Sequence, residues 1–159
     1  LEEFLMTATA APTTTRNAVI TSVVRPRARR IVGASAAAGA VAAAVLYGYG
    51  ATAQAAEGKL YAGDPGASHA VPIPPSGFSV GVLMCVAIGT LVALGIARWA
   101  GSPVRTWVRS SVALSVLSLV PPLLASHTDE STRLTLAGGH LIAALIVIPV
   151  VTRELVRGS

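Results

Sequence analysis

A single cysteine, Cys85, is all the chain carries. That excludes an intrachain disulfide and any multi-cysteine metal site, and leaves a small apolar packing residue as its plain role. Aromatic residues make up only 4%, too few for a platform on which bases stack, so nucleic acid is not an expected partner in spite of a net charge of +5. Charged residues are also scarce, at 12% against 53% hydrophobic, outside the balance of an ordinary soluble domain. There is no glycine-rich phosphate or dinucleotide loop, no CxxCH and no HExxH, so neither a cofactor nor a metal is expected.

What the chain has instead is long uncharged runs. Residues 134–152 read LTLAGGHLIAALIVIPVVT, 19 residues without a charge between Arg133 and Arg153, and hold one ionisable group, His140. At helical rise the run covers roughly 28 Å, the thickness of a bilayer core. Three more runs of this kind predict spans at 31–56, 78–98 and 106–125. The expected fold is an all-α membrane protein, a four-transmembrane-helix up-down bundle in one domain over 31–152. Residues 1–30 read as a flexible basic cytoplasmic tail and 153–159 as a short cytoplasmic one. Leu1 to Leu5 precede a plausible start at Met6. The first run has a competing reading, because Arg25, Arg27, Arg29 and Arg30 precede an Ala-rich stretch ending at Ala53-Gln54-Ala55, the pattern of a cleavable secretory signal.

Orientation follows from the basic residues. The N-terminal side, the turn at 98–109 and the C-terminal tail hold five, three and two of them, while the other side holds Lys59 and Arg133. That asymmetry places both termini in the cytoplasm of a multi-pass plasma-membrane protein, with Trp99 and Trp107 at the inner interface. The one long polar connection, 57–77, carries Gly63-Asp64-Pro65-Gly66 and Pro72, Pro74 and Pro75. At 21 residues it exceeds a usual helix-hairpin loop and reads as a lid or as a plain connector. On the second span Gly77, Gly81, Cys85, Gly89, Ala93 and Ala97 recur every fourth residue, a small-residue face suited to close approach of another helix. Through its Gly81/Cys85/Gly89 part it would serve the monomer, a homo-oligomer or another membrane protein. Pro121 and Pro122 are expected to bend or end the third span.

The third run, LSLVPPLLA at 117–125, and the fourth, GGHLIAALIVIP at 138–149, together with the Arg/Thr-rich start, resemble a family of uncharacterised four-helix membrane proteins found in actinobacteria. The resemblance covers roughly residues 25–155 and implies the four-helix fold, with His140 as a family-type feature; it implies no activity.

Chemistry is expected in a layer beneath the outer mouth. His140 lies about 10 Å inward of Arg133, with Ser118 and Cys85 at a similar depth, and Tyr47 and Tyr49 near it. An ionisable group at that depth belongs inside the bundle. The bland reading of His140 is a neutral imidazole bonded to Ser118, Tyr47 or a carbonyl. The functional readings are a cavity that binds a lipid or lipophilic small molecule, and an acid/base enzyme of isomerase or cyclase type with His140 and Tyr47 as catalytic groups. Tyr49, Cys85, Ser118, His127 and Asp129 are then the candidate ligand-binding residues. A structural or accessory subunit is the third reading. The outer His69, His127, Asp129 and Glu130 read as a solvated loop set rather than a metal site.

Overall fold

The computed structural model describes residues 13–63 and 66–158, with side chains from Arg27 onward. The tail at residues 1–12, and Asp64 and Pro65 of the expected turn, lie outside the described residues. The element order is α1 (Thr13–Glu57), β1 (Tyr61–Ala62), β2 (Val71–Pro72), α2 (Pro75–Trp99), α3 (Pro103–Leu117), α4 (Val120–Leu124) and α5 (Glu130–Arg157). Four stretches are long and apolar enough to cross a membrane: Arg27–Glu57, Pro75–Trp99, Pro103–Leu124 and Glu130–Arg157. Their outer faces leave large apolar side chains uncovered, with Met84, Leu91 and Leu145 each more than 60% exposed, which suits lipid and not water.

Local chemistry explains the boundaries. Pro75 and Pro103 stand in the first turns of α2 and α3, where the missing N–H costs nothing. Glu130 and Arg157 stand at the ends of α5 that favour their charges. The third span breaks at Ser118 and Leu119, between α3 and α4. Pro121 and Pro122 cannot donate to the carbonyls of Leu117 and Ser118, so the helix has no bonds with which to continue there. Ser118 Oγ instead donates to Ser115 O at 2.8 Å. Arg133 Nη2 donates to Ala125 O at 3.0 Å, covering a carbonyl just past α4.

One expectation is corrected at the start of the chain. The stretch read as a tail to residue 30 is helical from Thr13. Pro26 inside this stretch removes one ladder bond, but adding turns to a helix already nucleated downstream is otherwise cheap.

Two buried clusters hold the helices together. One joins Ile31 of α1, Ala93 of α2, Trp107 of α3, and Val151 and Leu155 of α5. The other joins Ala42 and Leu46 of α1, Leu60 of the loop, and Phe78, Val82 and Val86 of α2, with Leu136 and Ile142 of α5 against them. The contact of α1 with α2 is close because α1 supplies glycines: a side-chain carbon at Gly39 would lie 3.0 Å from Val86 Cγ1, and one at Gly50 would lie 2.7 Å from Phe78 Cδ2. Ser79 Oγ adds an interhelical bond to Ala43 O at 2.9 Å.

Within the monomer the small-residue face on α2 packs only in part, with Ala93 buried against α1, α3 and α5. Gly81 has nothing within 4 Å of where its side chain would be, and at Gly89 the nearest atom is a Trp107 ring carbon at 3.9 Å. The neighbouring ridge of larger residues, Phe78, Val82 and Val86, turns inward instead. Trp107 is buried, its Nε1 donating to Ile148 O at 3.5 Å, whereas Trp99 is exposed. The buried indole thus keeps a carbonyl acceptor for its N–H.

The long loop is tied down at several points. β1 and β2 pair antiparallel, Tyr61 with Pro72 and Ala62 with Val71. Ile73 N donates to Leu60 O at 2.8 Å, and Gln54 Nε2 reaches Ile73 O at 2.6 Å. Gly63 and Ser126 exchange both backbone bonds, at 3.0 and 3.2 Å, which pins the hairpin to the connection between α4 and α5.

Candidate functional site

The face of α2 that carries Gly81 opens on a cavity of about 630 Å³ between α2, α3 and α5. Its floor includes Leu46, Ala143 and Val147, and Trp107 stands toward one end. Cys85, Ile88, Leu114 and Leu117 line it and are themselves exposed, so the opening lies at the side of the bundle, between α2 and α3. The volume is that of a small-molecule site, and the lining is apolar. Two of its hydroxyls are already engaged with their own helices: Ser111 Oγ donates to Trp107 O at 2.7 Å, and Ser118 Oγ to Ser115 O.

A second cavity of about 440 Å³ lies under the hairpin, lined by Ala62, Gly63, His69 and Val71 on the loop side and by Pro122 and Ala125 on the other. The two cavities share Pro121, Leu136 and His140. His140 therefore stands at their junction. It is half-buried and has no hydrogen-bond partner among the described residues, so the interhelical bond of the bland reading is not present there.

The expected layer is brought together in part. Cys85, Ser118 and His140 line the larger cavity. Tyr49 stands one step behind its wall, its ring edge-on to Phe78 with centroids 6.1 Å apart and its hydroxyl against Gly138. Tyr47 is 53% exposed on another face of α1. Two residues later on a helix is a rotation of about 200°, so Tyr47 and Tyr49 cannot share a face. His127 and Asp129 line neither cavity. Asp129 is the N-cap residue of α5, and Ser131 Oγ donates to its Oδ2 at 2.6 Å. Bonds from Ser131 and then Thr132 hold its carboxyl below the ordinary value of 3.8.

His127 has a backbone reason for its place. Its φ is +50°, the left-handed region, in the turn that follows Ser126. A non-glycine residue there carries strain that histidine tolerates better than most. His127→Gly should therefore leave ligand content unchanged and hold or raise thermal stability, by up to about 1 kcal/mol. Thermal melts and ligand analysis of the purified variant check this; loss of ligand would return His127 to the site.

Trp107, Leu136, Gly139 and His69 were the site residues hardest to find from sequence. The adjacent glycines at 138 and 139 inside an apolar helix were the available signal, since that pairing marks a place where other groups approach α5 closely. A side-chain carbon at Gly139 would lie 3.4 Å from Phe78 Cδ1, and one at Gly138 would lie 2.5 Å from the Tyr49 hydroxyl.

The described helices define a multi-pass helical membrane protein with a lateral cavity. Residues 24–157 match a family of unknown function (DUF6069), and the chain belongs to that family. No curated protein and no solved structure matches it.

Proposed function

We propose that the protein binds a lipid or lipophilic small molecule in the larger cavity, within an up-down bundle whose two termini lie on the cytoplasmic side of the plasma membrane. The observation that carries this reading is the apolar cavity itself, open toward the lipid between α2 and α3 and ending at an imidazole without a partner among the described residues. The contacts of Ile31, Ala93, Trp107 and Val151 support the alternation of helix direction. The excess of arginine in the segments next to that cluster supports the orientation. Binding is favoured over acid/base turnover because Tyr47, the intended second catalytic group, stands away from the cavity.

The test uses the open space at Gly81. Gly81→Leu places a side chain in the cavity without meeting another atom on entry, so the variant should fold as well as the parent and retain much less co-purifying lipophile by native mass spectrometry. Unchanged ligand content in a folded Gly81→Leu protein would contradict the proposal. A change of oligomeric mass with no ligand in either protein would instead assign the face to a second copy of the chain.

A further inference from the structure

We infer that the ligand is a long-chain amphiphile with an uncharged or weakly acidic oxygen head, its head seated under the hairpin between His69 and His140 and its chain laid in the larger cavity toward Trp107. The inference rests on the binding proposed above and adds the chemistry of the molecule and the direction in which it lies.

The two cavities differ in what they can recognise. The larger one is lined mostly by hydrocarbon, and its Ser111 and Ser118 hydroxyls already donate to carbonyls of their own helix. Apart from Ser115, and His140 at the junction with the smaller cavity, its wall offers a chain little but apolar contact. The smaller one has two imidazoles in its lining. Each imidazole brings one donor and one acceptor when neutral. His69 Nδ1 is within 3.1 Å of Ser68 Oγ, which leaves Nε2 for a ligand, and His140 has both nitrogens uncommitted among the described residues. No lysine or arginine is among the described residues that line this cavity, and the Arg133 guanidinium is already bonded to the carbonyl of the lining residue Ala125. A phosphate dianion would have at most that one engaged cation to offset it, which is costly. A hydroxyl, or a carboxyl bound as the neutral acid, asks only for hydrogen bonds.

The two cavities meet beside the break in the third span. Ser118 and Leu119 keep right-handed helical dihedrals, and Pro121, just beyond them, is part of both linings. The length also fits. Trp107 Nε1 marks the level of Ile148, and eight residues along α5 from His140 is roughly 12 Å, within reach of an undecyl chain.

Trp107 makes this testable, because the chain has two tryptophans and the other, Trp99, is exposed. A Trp99→Phe protein in detergent micelles reports from the cavity alone. It is titrated with ω-bromoundecanol, ω-bromoundecanoic acid, ω-bromoundecyl phosphate and headless bromoundecane, the bromine quenching an indole it touches. The alcohol or the acid should quench Trp107 saturably and at lower concentration than the phosphate or the hydrocarbon. His69→Ala with His140→Leu should raise its half-saturation at least about tenfold, the loss of roughly two hydrogen bonds. His140→Gln, which keeps a donor and an acceptor, should lie close to the parent. Helical circular dichroism confirms that each variant is folded. If bromoundecane quenches as well as the headed probes, or the histidine variants bind the alcohol and acid unchanged, the head seat is overturned while binding in the cavity stands. If the phosphate binds best, the head chemistry is overturned. If no probe quenches Trp107 saturably, the cavity reading falls with it.

Discussion

Phe78→Ala should lower the stability of the folded bundle by roughly 3 kcal/mol, toward the lower end of the aromatic-to-alanine range because the transfer of the ring from lipid to protein interior adds little. The ring is clasped from two sides, by Gly50 of α1 at the Cδ2 edge and Gly139 of α5 at the Cδ1 edge, with Tyr49 packed edge-on. Through this side chain α1, α2 and α5 meet. The same geometry predicts that Gly50→Val damages the protein about as much. A side-chain carbon there would stand 2.7 Å from the ring, and Gly139 stands close against the ring's other edge. Gly48→Val, two residues away with open space around it, is the control for helix propensity alone. Thermal unfolding in detergent, followed by circular dichroism, should separate Gly50→Val and Phe78→Ala from Gly48→Val. Equal melting temperatures for all three would mean that the clasp is not what holds these helices.

Gly63→Val should release the hairpin. Its side chain would meet His69 O at 2.9 Å and Ser126 O at 3.1 Å. Both are backbone atoms, and Ser126 O is the acceptor of Gly63's own N–H. Neither can swing aside as a side chain would, so the bridge to Ser126 must open. Two backbone bonds are lost, together with the Gly66 N–H bond to Ser126 Oγ at 2.9 Å that depends on the same docking. Amide exchange at Gly63 and Ser126 should rise by at least about tenfold, as expected for a segment that now opens locally, while exchange within α2 and α5 stays as in the parent. Because the smaller cavity is walled by this hairpin, the variant should also hold an amphiphile less tightly. Unchanged protection at both amides would show that the bridge is not the hairpin's anchor.

Much of the architecture is written in local composition. The expected spans at 31–56, 78–98, 106–125 and 134–152 each fall within a few residues of an observed apolar helix, because hydropathy over twenty residues needs no knowledge of neighbours. The proline-driven break in the third span is readable for the same reason. Helix rotation is different. On α2 two ridges run in parallel at a spacing of four, the small Gly77, Gly81, Cys85 and Gly89 and the large Phe78, Val82 and Val86. Either could face inward. What decides is the set of hollows on other helices, Gly39 and Gly50 on α1 and Gly139 on α5, which receive the large ridge. Those hollows lie scores of residues away, so the pattern on α2 alone does not say which ridge turns inward. The same holds for Trp107, whose acceptor at Ile148 is 41 residues distant. Among the candidate site residues, Cys85, Ser118 and His140 line one cavity, while Tyr47 faces away from it; a helix rotation cannot be read from spacing along one run.

The central claim is that a lipophilic molecule occupies the space between α2, α3 and α5, and the most direct measurement is photo-crosslinking with a diazirine-bearing fatty alcohol in bilayers, followed by peptide mapping. Adducts are expected on Gly81, Cys85, Ser115, Ala144 and Ile148, which line the cavity, to fall when excess plain fatty alcohol is added, and to be lost in Gly81→Leu. Adducts spread instead over the outward Leu91 and Leu145, indifferent to both competitor and Gly81→Leu, would show that the probe meets this protein only as bulk lipid and that the cavity holds no ligand.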